Sequence, residues 1–163
     1  MKKTKKIFAE LMKEHELLKV GWTYSFDQAN SRFGWCDFNK KHISISEPIC
    51  LLNEGTNFPV IKDTILHEIA HALTYEQYGN TAKPHGKEWQ EIAKQIGCNG
   101  ERCYNSRKVI APEPKYKYKC PKCGYTYNRY RKISKSSPVA CSDCCDKYNN
   151  KKYSKKYNFV LVN

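Results

Sequence analysis

The segment TILHEIAHA, residues 64–72, carries the pattern His-Glu-x-x-His and forms the centre of the predicted fold. Histidines four positions apart lie on the same face of an α-helix. The apolar side chains of Ile65 and Ile69 fall on the opposite face of such a helix, where a protein core would cover them. The segment therefore predicts a helix that is buried on one side and carries His67 and His71 on the other.

The same pattern predicts a zinc site with a general base beside it. Neutral imidazole nitrogens bind zinc at about 2.0–2.1 Å, and a glutamate next to the first ligand can deprotonate the water that zinc activates. We therefore expect His67 and His71 to be metal ligands and Glu68 to be the catalytic residue of a peptidase. The alternative is two ordinary histidines beside a solvated glutamate. The chain has only five histidines, so this spacing is uncommon by chance.

A catalytic zinc site needs three protein ligands and one open position, so a further ligand must come from another element. The longer pattern His-Glu-x-x-His-x-x-Gly-x-x-His does not occur in this chain. Thr74 occupies the position of its glycine, and Gln77 occupies that of its third histidine. His85, close to the start of a second predicted helix, is one candidate. Glu88 or Glu91 is the competing ligand, because a glutamate from a second helix serves in other zinc peptidases.

The segments around this motif predict an α+β core. Residues 22–26 and 42–46 alternate in the manner of strands with one buried face, and residues 32–38 could form another strand, so we expect a small antiparallel sheet. Apolar spacing and terminal glycines predict three helices. They cover residues 4–19, about 58–78 and about 84–96.

The positive charge of the chain is concentrated in its second part. The formal net charge is +13, yet residues 1–100 contain 13 Lys and Arg against 12 Asp and Glu. Residues 101–163 contain 16 against 4. A basic module of this kind favours a polyanionic partner, most often nucleic acid, although a simply solvated lysine-rich tail is the alternative.

The compartment expected from the sequence is a reducing one. The amino terminus is basic, but residues 7–14 are too charged for the apolar core of a signal peptide. No apolar run approaches the length that spans a membrane. We therefore expect an intracellular protein, cytoplasmic or nuclear, with nine cysteines whose Cys-x-x-Cys pairs bind metal more readily than they form disulfides.

Two Cys-x-x-Cys pairs predict a zinc ribbon. Cys120 and Cys123 are separated from Cys141 and Cys144 by 17 residues, which is typical ribbon spacing. Four thiolates leave no open coordination position, so this zinc should be structural. Cys145 could replace Cys144 as the fourth ligand, and two disulfides are the other alternative.

Lysines and arginines interleave with tyrosines in this module. Cations contact phosphates, and aromatic faces can stack on unpaired bases. The same alternation also fits ribbon strands with one packed face. The candidates for nucleic-acid contact, without sequence preference, are Lys117, Lys119, Arg129, Arg131 and Lys132.

A series of motifs in this chain resembles the SprT-like metalloprotease domain. In chain order they are Trp22, Arg32-x-Gly34-x-Cys36, the strand 43–46, His67-Glu68-x-x-His71 and His85-Gly86-x-x-Trp89. The resemblance implies that His85 is the third zinc ligand, in preference to Glu88. The resemblance covers about residues 5–145 and implies a zincin-like protease core that a zinc ribbon can follow. We expect the core over residues 1–112 and the zinc ribbon and tail over residues 113–163.

The sequence thus predicts a zinc-dependent endopeptidase with one catalytic and one structural zinc. The resemblance implies that its substrates are proteins bound or crosslinked to DNA. The alternative is a noncatalytic, zinc-containing DNA-binding or transcription-associated module. A metal-dependent nuclease is a weaker hypothesis, since no cluster of carboxylates for Mg²⁺ stands out. Tyr75, Tyr78 and a residue of the tail are all candidates for the donor that stabilises the oxyanion.

Overall fold

The computed structural model describes residues 1–102 and 109–162. Its contacts divide the chain into two compact units, Met1–Pro112 and Glu113–Asn163. Each unit combines helices with a small sheet, which confirms the predicted α+β class. Within the described ranges, every helix is too short or too polar to cross a membrane.

The first unit places its helices around one three-stranded sheet. Its described elements are α1 (Lys2–Glu14), β1 (Thr23–Asp27), β2 (Gly34–Asp37), β3 (His42–Ser46), α2 (Glu47–Asn53), α3 (Phe58–Tyr78) and α4 (Lys87–Gln95). Short 3-10 turns follow α1 at Leu17–Val20 and α3 at Gly79–Thr81.

The sheet is mixed, so the predicted antiparallel arrangement was wrong for β1. The strand order is β1-β3-β2, with β3 antiparallel to β2 and parallel to β1. Only residues 38–41 join β2 to β3, and so short a connection returns the chain antiparallel. Residues 28–41 separate β1 from β3, which is long enough for a parallel crossover. The central strand is accordingly the most buried of the three.

Helix α2 was not predicted from the sequence. It has seven residues and starts directly after β3, where the Oγ of Ser46 accepts a hydrogen bond of 3.2 Å from the backbone N–H of Ile49. Pro48 fits the first turn of the helix, where its missing N–H costs nothing. The segment is too short to show a helical period, and Leu51 and Leu52 are both exposed.

Helix α3 is the centre of the first unit, and its observed bounds match the predicted ones. Ile61, Ile65 and Ile69 are fully buried and belong to the same apolar cluster as Phe8 of α1 and Ile45 of β3. Burying a side chain of this size contributes about 1.5–3 kcal/mol, so this face fixes the rotation of α3 about its axis. The histidines of the motif are therefore held on the face that looks away from these isoleucines.

The second unit contains a separate three-stranded antiparallel sheet and a short helix. Its described elements are β4 (Tyr116–Lys119), β5 (Thr126–Arg129), α5 (Ser142–Tyr148) and β6 (Val160–Leu161), with the strand order β5-β4-β6. Its buried residues are mainly the cysteines and Tyr118. Such a small apolar core offers little stabilisation by itself, so a bound metal would supply much of the folding free energy.

Candidate active site

Three imidazoles meet at one point of the first unit. His67 and His71 lie one turn apart on α3, and His85 lies just before α4. The Nε2 atoms are 3.2 Å apart for His67 and His71, 3.0 Å for His71 and His85, and 3.1 Å for His67 and His85. The competing carboxylates of Glu88 and Glu91 are outside this group of possible metal ligands.

Mutual hydrogen bonds cannot explain this triangle. The Nε2 of a neutral imidazole either donates or accepts, so at least one of the three pairs must join two atoms of the same kind. Three nitrogens that bind one tetrahedral zinc at 2.0–2.1 Å would be about 3.3 Å apart, close to the separations found here. The three histidines therefore fit a zinc site, and the described residues offer no fourth ligand to it.

His85 reaches the other two histidines from a tight turn, not from the helix predicted around it. Helix α4 begins at Lys87, and the backbone N–H of Gly86 donates a 2.8 Å hydrogen bond to the carbonyl of Lys83. His85 itself has a φ of 58°. This left-handed conformation costs a residue other than glycine about 1–2 kcal/mol, and here it accompanies the placement of the imidazole against α3.

Trp89 of α4 forms the wall behind the three imidazoles. Its ring centroid is 4.7 Å from that of His67, 5.2 Å from that of His71 and 4.7 Å from that of His85. The indole is fully buried. Water is therefore excluded from this side of the site, and the imidazole rings have little freedom to turn.

The loop after α4 supports the site in a way that was not predicted. The backbone of Glu101 lies against the ring of His67, close enough to raise its pKa. Two hydrogen bonds fix this loop to α3. The Oδ1 of Asp63 accepts a 2.8 Å hydrogen bond from the N–H of Asn99, and the Oδ1 of Asn99 accepts a 2.7 Å hydrogen bond from the N–H of Glu101. The local sequence indicates only a turn at Asn99 and Gly100. It carries no pattern that would predict the contact between Glu101 and His67.

The environment keeps the imidazoles neutral. Burial lowers the pKa of His67 to about 4 and that of His71 to about 3, and repulsion between the neighbouring imidazoles adds to the effect. The pKa of His85 is also lowered, by burial and by the charge of Arg102. Neutral imidazoles are the form that binds metal, so no proton has to be removed near pH 7.

Glu68 is buried beside the three histidines, with 8% of its surface exposed. Burial raises the pKa of this carboxyl to about 8, and the charge of Arg32 opposes the shift. A divalent cation on the neighbouring histidines would lower the pKa again. Glu68 is therefore placed as a proton acceptor whose affinity for a proton is increased by its surroundings.

Two cavities meet at Glu68. The first, of about 230 Å³, extends from Ser31 to Asn99. The second, of about 350 Å³, contains all three histidines and reaches Trp35 and Pro84. The two cavities share four lining residues, which are Gly34, His67, Glu68 and Arg102. The two cavities thus form one cleft across the site. Gly34 of β2 and Arg102 of the loop after α4 are among the residues that line the place where the cavities meet.

Neither tyrosine that was considered as an oxyanion donor lines this cleft. The ring of Tyr75 stacks on Phe38 with centroids 5.1 Å apart and lines a different cavity on the far side of His71. The hydroxyl of Tyr78 accepts a hydrogen bond of 3.1 Å from Gln77. Of the donors considered, only the alternative of a residue later in the chain stays open.

The second unit brings the predicted cysteines together. The Sγ atoms are 3.8 Å apart for Cys120 and Cys144 and 3.8 Å apart for Cys123 and Cys141, and all four lie within 4.8 Å of one another. Four sulfurs around one zinc, with bonds of about 2.3 Å, would be about 3.8 Å apart. Cys144 completes this group and Cys145 does not. No disulfide joins the described cysteines, and the group fits a closed, structural zinc site.

The predicted nucleic-acid contacts divide between two faces of the β4-β5 sheet. Lys117 and Lys119 are exposed on one face of the sheet, where Lys117 lies opposite Asn128 and Lys119 lies opposite Thr126. Arg129 is on the other face, and its guanidinium donates a 2.9 Å hydrogen bond to the hydroxyl of Tyr127. Arg131 and Lys132 are exposed beyond the end of β5, with the Nζ of Lys132 5.7 Å from the ring centroid of Tyr116.

Comparisons with known proteins find a family match that lies within the first unit. The sequence pattern of the SprT-like family matches residues 2–109. The chain belongs to the SprT-like family. The predicted resemblance is thereby confirmed, and the three histidines and Glu68 all fall inside the matched residues.

Bacterial proteins named Protein SprT are among the curated relatives of this SprT-like chain. The one from Yersinia pseudotuberculosis serotype O:1b is 31% identical over 104 residues, which cover 61% of this chain and 59% of the relative. The one from Glaesserella parasuis serovar 5 is 27% identical over 126 residues, which cover 75% and 78%. The chain thus spans less than two thirds of the Yersinia relative. No solved structure matches the chain.

Proposed function

We propose that this SprT-like protein is a zinc-dependent endopeptidase that acts on proteins bound or crosslinked to DNA. One observation carries the proposal: three Nε2 atoms lie within 3.2 Å of one another, next to the buried carboxyl of Glu68. Structural zinc sites in proteins are usually closed by a fourth protein ligand, whereas this group has three. The donor set therefore favours a catalytic site over a structural one.

The roles of the residues follow from their positions. His67, His71 and His85 would hold the zinc ion, which lowers the pKa of water and polarises a peptide carbonyl when it is bound. Glu68 accepts a proton from the attacking water and later gives it to the nitrogen of the leaving amine. Its burial beside the histidines holds the carboxyl in one place for both transfers.

The open edge of β2 supports a peptide as the substrate. The carbonyl of Phe33 accepts a hydrogen bond from the N–H of Ser46. In an antiparallel pair the backbone groups of every second residue face the partner strand, so those of Phe33, Trp35 and Asp37 face β3. The backbone groups of Gly34 and Cys36 therefore point to the other side of β2. An extended peptide could add there as a further strand, next to Glu68, and its backbone would be recognised whatever its side chains.

The second unit would bring this activity to DNA. Its four cysteines would hold a structural zinc, and the exposed Lys117 and Lys119 would contact phosphates on one face of its sheet. Arg131 and Lys132 extend the positive surface at the end of β5. These contacts read no bases, so we expect binding without sequence preference that weakens steeply with salt.

A noncatalytic DNA-binding or transcription-associated module is the second candidate, and the basic composition of residues 101–163 is the observation that favours it. It would bind the same two zinc ions. Metal content therefore cannot separate the two functions, and turnover must be measured.

The experiment compares the zinc-loaded protein with its Glu68→Gln variant on a protein crosslinked to DNA and on the same protein without DNA. We expect cleavage by the unmodified protein that DNA stimulates. The variant should keep both zinc ions and its affinity for DNA but lose cleavage. Absence of cleavage by the unmodified protein with DNA present would contradict the peptidase function and leave the binding module.

A further inference from the structure

The cleft carries a cationic side chain that the roles above do not use. Arg102 borders both cavities, and of the described residues that line the second one it is the only lysine or arginine. It has no ion-pair partner among the described residues. A guanidinium carries five N–H donors and stays charged at any pH at which proteins fold.

The position of Arg102 is fixed by the same loop that supports His67. The Asp63 carboxylate accepts a 2.8 Å hydrogen bond from the N–H of Asn99. The Asn99 side chain in turn accepts a 2.7 Å hydrogen bond from the N–H of Glu101. Glu101, one residue before Arg102, lines the same cavity as His67. The Cα of Arg102 is thereby tied to α3 next to the histidines, and its side chain reaches the point where the two cavities join.

The other arginine at the cleft is already occupied. Arg32 lines the first cavity, but its Nη2 donates to Asp27 at 2.7 Å and its Nη1 lies 3.4 Å from the Oγ of Ser44. An arginine held in this way cannot turn toward a peptide in the second cavity without breaking these contacts. Arg102 has no such ion pair with a described residue, so its guanidinium is the one available to a substrate in the second cavity.

We propose that Arg102 is a catalytic residue of this SprT-like peptidase that donates hydrogen bonds to the carbonyl oxygen of the peptide bond being cleaved. The inference rests on the proposed function. A peptide on the open edge of β2 would pass between Gly34 and Arg102, with its reacting carbonyl beside Glu68. A preorganised donor at this place stabilises the negative charge that develops on the oxygen, and so acts mainly on the transition state.

The step balances without any further reactant. A bond forms between the water oxygen and the carbonyl carbon, while Glu68 takes one proton from that water. The carbon–nitrogen bond then breaks as this proton passes to the amine nitrogen. The second proton of the water leaves the new carboxyl group and ends on the amine, so the products are a carboxylate and a protonated amine. Arg102 transfers no proton and only donates hydrogen bonds.

The test measures kcat and KM on a cleavable peptide for the unmodified protein, Arg102→Ala, Arg102→Lys and the control Lys13→Ala. Lys13 is exposed on α1 and lines neither cavity of the cleft, so its variant removes the same charge away from the site. We expect Arg102→Ala to lower kcat about 10²-fold with little change in KM. Arg102→Lys should keep part of the activity, and all variants should keep two zinc ions.

A second readout does not depend on turnover. A phosphinic peptide carries a tetrahedral anion that imitates the charged oxygen, and its affinity for each zinc-loaded variant can be measured by calorimetry. We expect Arg102→Ala to weaken its binding by about the same factor as kcat/KM. The affinity for the uncleaved peptide, measured in the Glu68→Gln background, should stay unchanged.

The outcomes separate this inference from the function on which it rests. Normal kcat and normal phosphinic-peptide affinity in Arg102→Ala would overturn the role of Arg102 alone. A raised KM with an unchanged kcat would also overturn it, because Arg102 would then bind the substrate without favouring the transition state. If the unmodified protein cleaves nothing, the peptidase function and this role fail together.

Discussion

The backbone of Gly34 on β2 lies directly against the side chain of Glu68 on α3. A β-carbon at position 34 would stand 2.6 Å from the Cγ and 2.8 Å from the Cδ of Glu68, closer than atoms approach without bonding. We therefore predict that Gly34→Ala displaces the Glu68 carboxyl and lowers kcat at least about 10²-fold, the lower end of what a positioned base contributes. Peptidase kinetics and zinc analysis on the same preparation measure this.

Gly55→Ala is the matched control for that substitution. A β-carbon at position 55 meets nothing within 4 Å, so this variant should cleave like the unmodified protein. Gly34→Ala should still bind two zinc ions, because the histidines do not move with Glu68. Full activity in Gly34→Ala would show that Glu68 does not need the position found here.

The loop after α4 should determine how tightly the first zinc binds. Asn99→Ala removes the acceptor that holds the N–H of Glu101, and the backbone of Glu101 then loses its fixed position against His67. Groups that orient a metal ligand in this way typically contribute 10–100-fold to metal affinity, so we predict a loss of about 10-fold. Competition with a chromophoric chelator measures the affinity.

Gln95→Ala serves as the control for the loop, since Gln95 is exposed on α4 and makes no contact with the site. It should keep the affinity of the unmodified protein. Equal affinities for Asn99→Ala and Gln95→Ala would mean that His67 is oriented without help from the loop.

Two adjacent cysteines should behave differently in the second unit. Cys144 belongs to the four-sulfur group and Cys145 does not, although both are buried. We predict that Cys144→Ser loses one of two zinc ions and unfolds the second unit, because metal binding supplies much of its stability. Cys145→Ser should keep both ions.

Zinc analysis measures the metal content of the cysteine variants, and limited proteolysis measures the unfolding of the second unit. In Cys144→Ser, cleavage sites should open within residues 113–163 while the first unit stays resistant. The account of this site would be wrong if Cys145→Ser lost a zinc ion and Cys144→Ser kept it.

The exposed lysines of β4 should set the salt dependence of DNA binding. Replacing Lys117 and Lys119 together by alanine removes two phosphate contacts, so the slope of log K against log salt should fall by about 1.4–1.8. Fluorescence anisotropy with a short oligonucleotide at several salt concentrations gives the slope.

A double variant of Lys5 and Lys13, both exposed on α1, removes the same charge from the first unit. Its slope should match that of the unmodified protein. If both double variants changed the slope equally, net charge would explain the binding and no particular face of the second unit would be involved.

The features that the sequence predicted correctly are those with a local signal. Helix α3 was predicted with its bounds because isoleucines at helical spacing and the terminal Gly79 mark it. The spacing of Cys120, Cys123, Cys141 and Cys144 likewise predicted a group that the structure brings together. In both cases the residues that form the feature also carry the pattern.

The features that were missed depend on contacts between distant segments. The parallel pairing of β1 with β3 follows from the length of the connection, and alternation within a strand does not report the direction of its neighbour. His85 was placed in a helix, whereas a turn presents it. Nothing in the local sequence relates Asn99 and Arg102 to His67, because their relation exists only after α4 has packed on α3.

The number of zinc ions bound by His85→Ala tests the central claim most directly. The three Nε2 atoms form one group that could hold a metal ion, and Glu88 lies outside this group. Mass spectrometry under native conditions should therefore find one zinc ion in His85→Ala and two in Glu88→Ala. Two zinc ions in His85→Ala, with one in Glu88→Ala, would contradict the three-histidine site and every role derived from it.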